Sequence, residues 1–339
     1  MKGSAMVPIR SREVHLVNRP EGLPTPDDFA IVDTTIDEPG PNEVQVRNLW
    51  LSVDPYMRGL MGTTRTYIDP YHLGEAMTGG AIGTVEISNH PKLAEGDLVL
   101  SNHGWRDRFV ANGDGVHPID PNLAPPQAYL GVMGMPGFTA WLGIHEIARL
   151  EAREAILISG AAGAVGSVAC QLASRMGTKV VASAGSDDKV KWLEENAAVE
   201  AFNYRKTKHL YRQLVKICRD GFHVYFDNVG GDHLEAALMS MRNHGRVVMC
   251  GMIGQYNAEQ PPAGPSSLIV AITKRLTMRG FIAFDHSELE PRFQAEMAGL
   301  IASNQIRWTE TIYDGLENAP AAFMGLFSGA NTGKMLVRL

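Results

Sequence analysis

The sequence predicts an α/β protein of two domains, an irregular all-β unit and a doubly wound parallel sheet covered by helices. Three observations carry this expectation. Short apolar stretches broken by proline and glycine fill the chain up to about residue 125. From about Gly131 strands alternate with helical stretches of about 10 to 15 residues, and one of those strands runs straight into a glycine-spaced turn. At 339 residues the chain exceeds the usual domain of about 100 to 200 residues, so two are expected.

In the first unit, 44–52 (VQVRNLWLS) alternates with period two and 81–87 (AIGTVEI) and 98–101 repeat the habit, so each reads as a strand. Glu38-Pro39-Gly40-Pro41 and Glu95-Gly96-Asp97 are turn signals. In the second unit the strand candidates are 155–159 (AILIS), 179–184 (KVVASA), 223–226 (HVYF), 246–250 (RVVMC) and 276–281. Helices are expected between them over 165–176, 189–196 and 234–241. A helical 320–327 followed by 334–339 (KMLVRL) suggests a closing strand that returns to the first unit. The expected division is therefore 1–130 with 311–339, and 131–310.

Hydrophobic residues make up 45% of the chain and charged ones 20%, an ordinary globular balance. The net charge of −6, with no basic cluster, argues against a protein that binds the nucleic-acid backbone. No apolar run reaches the roughly 18 residues of a membrane span, and the N-terminus lacks the apolar core of a secretory leader. The opening MKGSAM is set aside from the fold. Cys170, Cys218 and Cys250 lie far apart with no C-x-x-C pair, which predicts reduced, structural thiols, a cytoplasmic setting and no metal site.

The segment 156–166 (ILISGAAGAVG) is a buried strand, a glycine-spaced turn and a helix, in that order. A dinucleotide site needs glycine where the backbone meets pyrophosphate and where helix packs on strand, and the helix N-terminus supplies N–H donors. Gly163, Ala164, Val165 and Gly166 stand at these places; Ala161 replaces the first glycine of the usual pattern, and Gly160 takes up the turn. An NAD enzyme carries Asp or Glu about 20 residues on, at the tip of the next strand. Here the tip is Ser183-Ala184-Gly185-Ser186, which leaves room for a 2′-phosphate and predicts NADPH/NADP+, with Lys189 as its cationic partner. Taken alone, Lys189 reads better as a solvated helix lysine; the empty tip turns the reading to phosphate. Asp187 and Asp188 read as first-turn acids behind a Ser186 N-cap.

Six motifs stand in order: VDPYMRG (53–59), GVMGMPGFTA (131–140), AAGAVGS (161–167), FDNVGG (226–231), Cys250-Gly251 through Tyr256-Asn257, and ENAP (317–320). From about Arg12 to Leu339 the chain resembles the zinc-independent alkenal/one reductases of the medium-chain dehydrogenase/reductase superfamily. The resemblance implies a GroES-like β domain split by an inserted Rossmann domain, reduction of the C=C bond of a small enone or enal, and a homodimer. It also implies that Gly163 to Gly166 hold pyrophosphate while Lys189 and Tyr204 face the 2′-phosphate. Asn228, Cys250, Gly251, Met252, Ile253, Gly254, Gln255, Tyr256, Phe281, Ile282 and Ala283 would line the cofactor's path, and Asn331 would reach it from the returning segment. Two departures stand out: Arg205-Lys206 replaces the family's single Lys after Asn-Tyr, keeping the charge but not its geometry, and Arg108-Phe109 lacks a nearby Tyr that relatives carry.

Hydride addition to the β-carbon of an enone pushes charge onto the carbonyl oxygen, so a hydrogen-bond donor must meet that oxygen. Tyrosine suits the task because its phenol stays protonated at neutral pH. Tyr256, in the glycine-rich loop where switch-point ligands bind, is the first candidate, and Tyr67 is the second, by resemblance. Tyr56 and Met135 would shape the substrate pocket, although both also read as ordinary buried side chains. Competing functions are a quinone reductase of the same superfamily, a protein that binds NADPH without catalysis, and a zinc alcohol dehydrogenase. The last lacks candidate cysteine ligands before residue 170.

Overall fold

Runs that are apolar on both faces become the inner strands of a parallel sheet in the computed structural model of the chain, which describes residues 9–260 and 262–339. The opening MKGSAM and the leader expectation resting on it lie outside the described residues. Ala155–Ile158 (β1), Lys179–Ala184 (β2), Glu200–Asn203 (β3), Phe222–Asp227 (β4), Met241–Met249 (β5) and Thr277–Gly280 (β6) pair in the order β3-β2-β1-β4-β5-β6. This is the doubly wound Rossmann order, which reverses direction between β1 and β4. Every residue of β1 is buried, and β2 and β4 flank it in parallel register. A central strand covered on both faces has no solvent side, so AILI shows no alternation.

Two strands differ from expectation. β3 went unread because it lies at the sheet edge, where only Phe202 is buried and no strong apolar pattern is required. β5 begins at Met241, earlier than read, directly after the helix Gly231–Ser240. Helix α1 (Ala164–Arg175) follows β1 and helix α2 (Asp187–Ala197) follows β2. The Ser186 side chain accepts the Lys189 N–H at 3.4 Å, so Ser186 is the N-cap of α2 with Asp187 and Asp188 in its first turn.

The other sheet is antiparallel, in the order Glu310–Asp314, Lys334–Arg338, Glu43–Ser52, Ala81–Ser88, Leu98–Ser101 and His117–Pro118, with Arg108–Asn112 also paired to Glu43–Ser52. Leu336 and Val337 stand opposite Ser52 and Leu51, so the end of the chain closes this sheet. Ile9–Leu16 and Phe29–Ile36 form a separate antiparallel pair.

The chain divides into one unit of residues up to Leu130 with Thr311–Ser328 and Met335–Leu339, and a second of Gly131–Glu310 with Gly329–Lys334. Residues 329–334, expected with the β unit, therefore belong to the parallel-sheet unit. The physical reason is the Gly333 N–H, which donates to the Ala162 carbonyl at 2.7 Å.

In the first unit, Phe323 packs edge-on against Trp105, ring centroids 6.1 Å apart, and Phe29 stacks flat on Trp105 at 6.3 Å. Phe323 and Trp105 are fully buried, so the late helix Ala319–Ser328 completes a core begun by early strands. Phe323→Ala should lower stability by about 3–5 kcal/mol through loss of ring burial and the cavity left behind. A urea unfolding midpoint within error of the parent's would contradict this.

Candidate cofactor and active site

The turn after β1 is shaped by one close approach. A Cβ on Gly166 would lie 2.5 Å from the Gly160 carbonyl oxygen and 2.7 Å from Ala161 Cα, both backbone atoms that cannot step aside. Only glycine lets α1 start this close to the strand. Gly160 itself has φ of +57°, and its carbonyl accepts the Gly163 N–H at 3.0 Å. Gly163 is the N-cap and brings no side chain to cap the helix. The first N–H groups of α1 thus lack a capping side chain at the carboxyl edge of the sheet, a setting that favours an anion. Ala161 is fully buried and donates its N–H to the Ser183 carbonyl at 3.0 Å, so alanine suffices where the usual pattern has glycine.

At the tip of β2 the expected Lys189 and Tyr204 are joined by Arg205. A Cβ on Gly185 would sit 3.2 Å from the Tyr204 hydroxyl and 3.4 Å from Arg205 Nε. Lys189 Nζ donates to the Gly329 carbonyl at 2.8 Å, and a Cβ on Gly329 would lie 3.5 Å from an Arg205 guanidinium nitrogen and 3.6 Å from Lys189 Nζ. Lys189 and Arg205 therefore flank the same backbone. Burial, and after it the Arg205 charge, lowers the Lys189 pKa below its ordinary value. Asp187, the acid that complicated the reading of this tip, turns the other way: it pairs with Lys206 and accepts from Asn203 Nδ2 at 2.8 Å. Arg205 was missed as a site residue. Its signal was the Arg-Lys pair standing where the family keeps one Lys; the structure splits the pair, with Arg205 at the tip and Lys206 on Asp187.

The loops after β4 and β5 hang on Asp227, a fully buried residue that sequence reasoning also passed over. Its Oδ1 accepts from Tyr225 Oη at 2.7 Å, Ser159 Oγ at 3.2 Å, and the N–H groups of Val229 at 3.0 Å and Gly230 at 2.8 Å. Its backbone carbonyl takes the N–H groups of Cys250 and Gly251, both at 3.0 Å. Asn228 Nδ2 donates to the Ser159 carbonyl at 2.7 Å, so this amide braces the turn. The Ile253 N–H reaches the Asn228 carbonyl at 3.2 Å, and the Gly254 N–H reaches that of Val229 at 3.0 Å. Buried backbone donors are satisfied in this way, and two loops from neighbouring strands are set against each other.

Tyr256 curls back over this loop. Its hydroxyl accepts the Met252 N–H at 3.2 Å, and the phenol is partly buried beside Gly251 and Gln255. Burial raises its pKa, with the Met252 N–H acting in the opposite direction. Parallel pairing of Met249 with Gly280 places Phe281, Ile282 and Ala283 next to the loop that leaves β5. Asn331 Nδ2 donates to the Gly333 carbonyl at 2.8 Å, and Gly333 bridges Gly163, which brings the returning segment to the turn. Met135 opens the helix Met135–Leu142 and is partly exposed, whereas Met133 is buried.

Within the first unit, Tyr67 is 53% exposed while Tyr56 is partly buried. The Tyr56 pKa is raised by burial first, then by Asp54 and Tyr67, so these groups share one neighbourhood. His103 stacks on Phe109 with centroids 4.5 Å apart, a structural contact.

Known proteins align along the whole chain. Residues 12–119 match the family described as the N-terminal domain of oxidoreductase, and 164–301 match the zinc-binding dehydrogenase family. Among the described residues no group of three or more His, Cys, Asp or Glu is placed to hold a metal ion. The chain is 38% identical to the NADP+-dependent 2-alkenal reductase of Nicotiana tabacum and 36% identical to the NADPH-dependent curcumin reductase of Escherichia coli, in each case over 97% of both chains. A crystal structure of CurA from Vibrio vulnificus in complex with NADPH superposes with a TM-score of 0.91 at 37% identity, covering 96% of this chain and 98% of that one. The chain belongs to the zinc-independent alkenal and enone reductases of the medium-chain dehydrogenase/reductase superfamily.

Proposed function

We propose that this protein is an NADPH-dependent reductase of the carbon–carbon double bond in α,β-unsaturated ketones and aldehydes. The observation that carries the proposal is the convergence of Lys189, Arg205 and Tyr204 on a strand tip without a carboxylate, beside an open helix N-terminus. Two cationic heads held side by side, one of them desolvated, suit a dianion. A 2′-phosphate supplies that charge and a 2′-hydroxyl does not. Relatives named for curcumin and 2-alkenal reduction supply the substrate class.

When bound, the reduced nicotinamide supplies a hydride to the β-carbon of the substrate. The residues of the chain do the rest. The N–H groups at Gly163 to Gly166 hold pyrophosphate, and Asn331 and the loops at Asn228, Cys250 to Tyr256 and Phe281 to Ala283 enclose the cofactor. Because the Tyr256 oxygen already accepts from Met252, its own proton is the one to offer to the carbonyl oxygen where charge gathers. Burial keeps that phenol protonated. Tyr67, with Tyr56 beside it, is the second candidate donor in the first unit, and Met135 stands at the start of a helix of the second.

A homodimer and a cytoplasmic setting complete the proposal. β6 is an exposed edge strand, and Leu268, Ile269, Ile272 and Phe284 around it present large apolar side chains to solvent, Ile272 with 72% of its surface. An uncovered apolar edge of this kind invites pairing with its own copy. The three free cysteines favour a reducing compartment.

With NADPH, initial rates should be high on trans-2-hexenal and curcumin and low on a quinone; the reverse order would replace this function with quinone reduction. Tyr256→Phe should lower kcat/KM about 10- to 100-fold, and an unchanged value would remove its donor role. Arg205→Ala should raise the KM for NADPH about tenfold while leaving that for NADH near its parent value, and Lys206→Ala should alter neither. Equal loss for both cofactors would take Arg205 off the phosphate. Ile272→Glu should convert a dimer to a monomer in analytical ultracentrifugation; a monomeric parent or an unaffected dimer would refute the proposed interface.

A further inference from the structure

In the first unit two arginines grip each other's chain segments. Arg19 donates through Nη1 to the carbonyls of Met61, at 3.0 Å, and Gly62, and through Nη2 to the carbonyl of Tyr71 at 3.0 Å. Arg58, the arginine of VDPYMRG, donates in the other direction. Its Nη2 meets the carbonyls of Gly22 at 2.8 Å and Pro20 at 3.0 Å, and its Nε meets Gly22 at 3.3 Å. The stretch that carries Arg19 is thus held by Arg58, and the stretch that follows Arg58 is held by Arg19.

What the clamp encloses is the loop from Gly62 to Tyr71, whose ends are partly or fully buried and whose middle is exposed. Met61 and Tyr71 are buried; the Tyr71 N–H donates to the Leu60 carbonyl at 2.8 Å and its hydroxyl to the Thr78 carbonyl at 2.7 Å. Thr63, Thr64, Arg65, Thr66 and Tyr67 are all exposed. The Arg65–Asp69 ion pair inside the loop lies in solvent and is worth little. Arg19 ties the two ends of this loop together through a charged fork.

We propose that Arg19 and Arg58 are positioning residues for substrate binding: a reciprocal clamp that fixes the mouth of the 62–71 loop and so presents Tyr67 to the unsaturated carbonyl compound. This rests on the function proposed above, in which Tyr67 faces substrate. If the mouth is released, the loop must be ordered each time substrate binds, and that entropy appears in KM. The chemical step, with the loop already ordered, is little changed. A planar guanidinium spans three carbonyls at fixed angles and a lysine ammonium does not, so charge alone does not restore the clamp.

Arg58 is buried and Arg19 only partly so, which makes Arg19 the position to change. In Arg19→Met, amide hydrogen exchange across 62–71 should quicken about tenfold or more, and the KM for trans-2-hexenal should rise about tenfold with kcat within about twofold. Arg19→Lys should fall between Arg19→Met and the parent in both, and the KM for NADPH should stay at its parent value, which also reports that the fold is intact. Unchanged exchange overturns the clamp whatever the kinetics. Faster exchange with an unchanged KM for trans-2-hexenal overturns the positioning role while the reductase function stands. If the parent does not reduce trans-2-hexenal at all, the functional assignment fails, and the exchange arm, which needs no substrate, still judges the clamp.

Discussion

The approach of α1 to the Gly160 carbonyl is the constraint on which the rest of the site depends. A helix that begins this close to the strand it follows brings its uncapped N–H groups to the carboxyl edge of the sheet. The sheet order then decides what else arrives there. Because β1 has β2 on one side and β4 on the other, the loops after all three strands open at the same edge, where successive crossovers diverge to opposite faces. Each loop contributes a different feature: uncapped helix N–H groups from the first, a tip without a carboxylate but with basic neighbours from the second, and a hydrogen-bonded bed built on Asp227 from the third.

Electrostatics divides the labour at that edge. Asp227 is a fully buried acid whose Oδ1 gathers four donors, while among the described residues its Oδ2 meets none. The outcome is preorganisation: Val229, Gly230, Cys250 and Gly251 have their N–H groups committed before any ligand binds. Lys189 and Arg205 flank the backbone at Gly329, and the Lys189 pKa is lowered by burial first and by the Arg205 charge second.

How much of this could be read from the chain follows from which interactions leave a mark on residue type. The inner strands and the glycine turn were legible because burial on both faces demands continuous apolar residues and the Gly160–Gly166 approach forbids a Cβ. β3 was not, since an edge strand needs only Phe202 inside. FDNVGG was recognised as a motif, yet the work of Asp227 stayed hidden because Ser159, which joins it, lies 68 positions earlier. Residues 329–334 were assigned to the wrong unit because the Gly333–Ala162 hydrogen bond is made by backbone, which leaves no trace in composition. The arginine clamp is invisible for the same reason: these hydrogen bonds end on main-chain carbonyls. Tyr67 and Tyr56 are singled out by likeness to a family alone, with nothing in local spacing to mark them.

The most direct test of the central claim is calorimetric titration of the wild-type protein with NADPH and with NADH across a range of pH. NADPH should bind at least about tenfold more tightly near neutrality. The preference should weaken as pH rises through the lowered Lys189 pKa, below its ordinary 10.5, because the partner of the 2′-phosphate loses its proton there. Equal affinity for the two cofactors at neutral pH would contradict the account of the β2 tip, and with it the assignment of the cofactor.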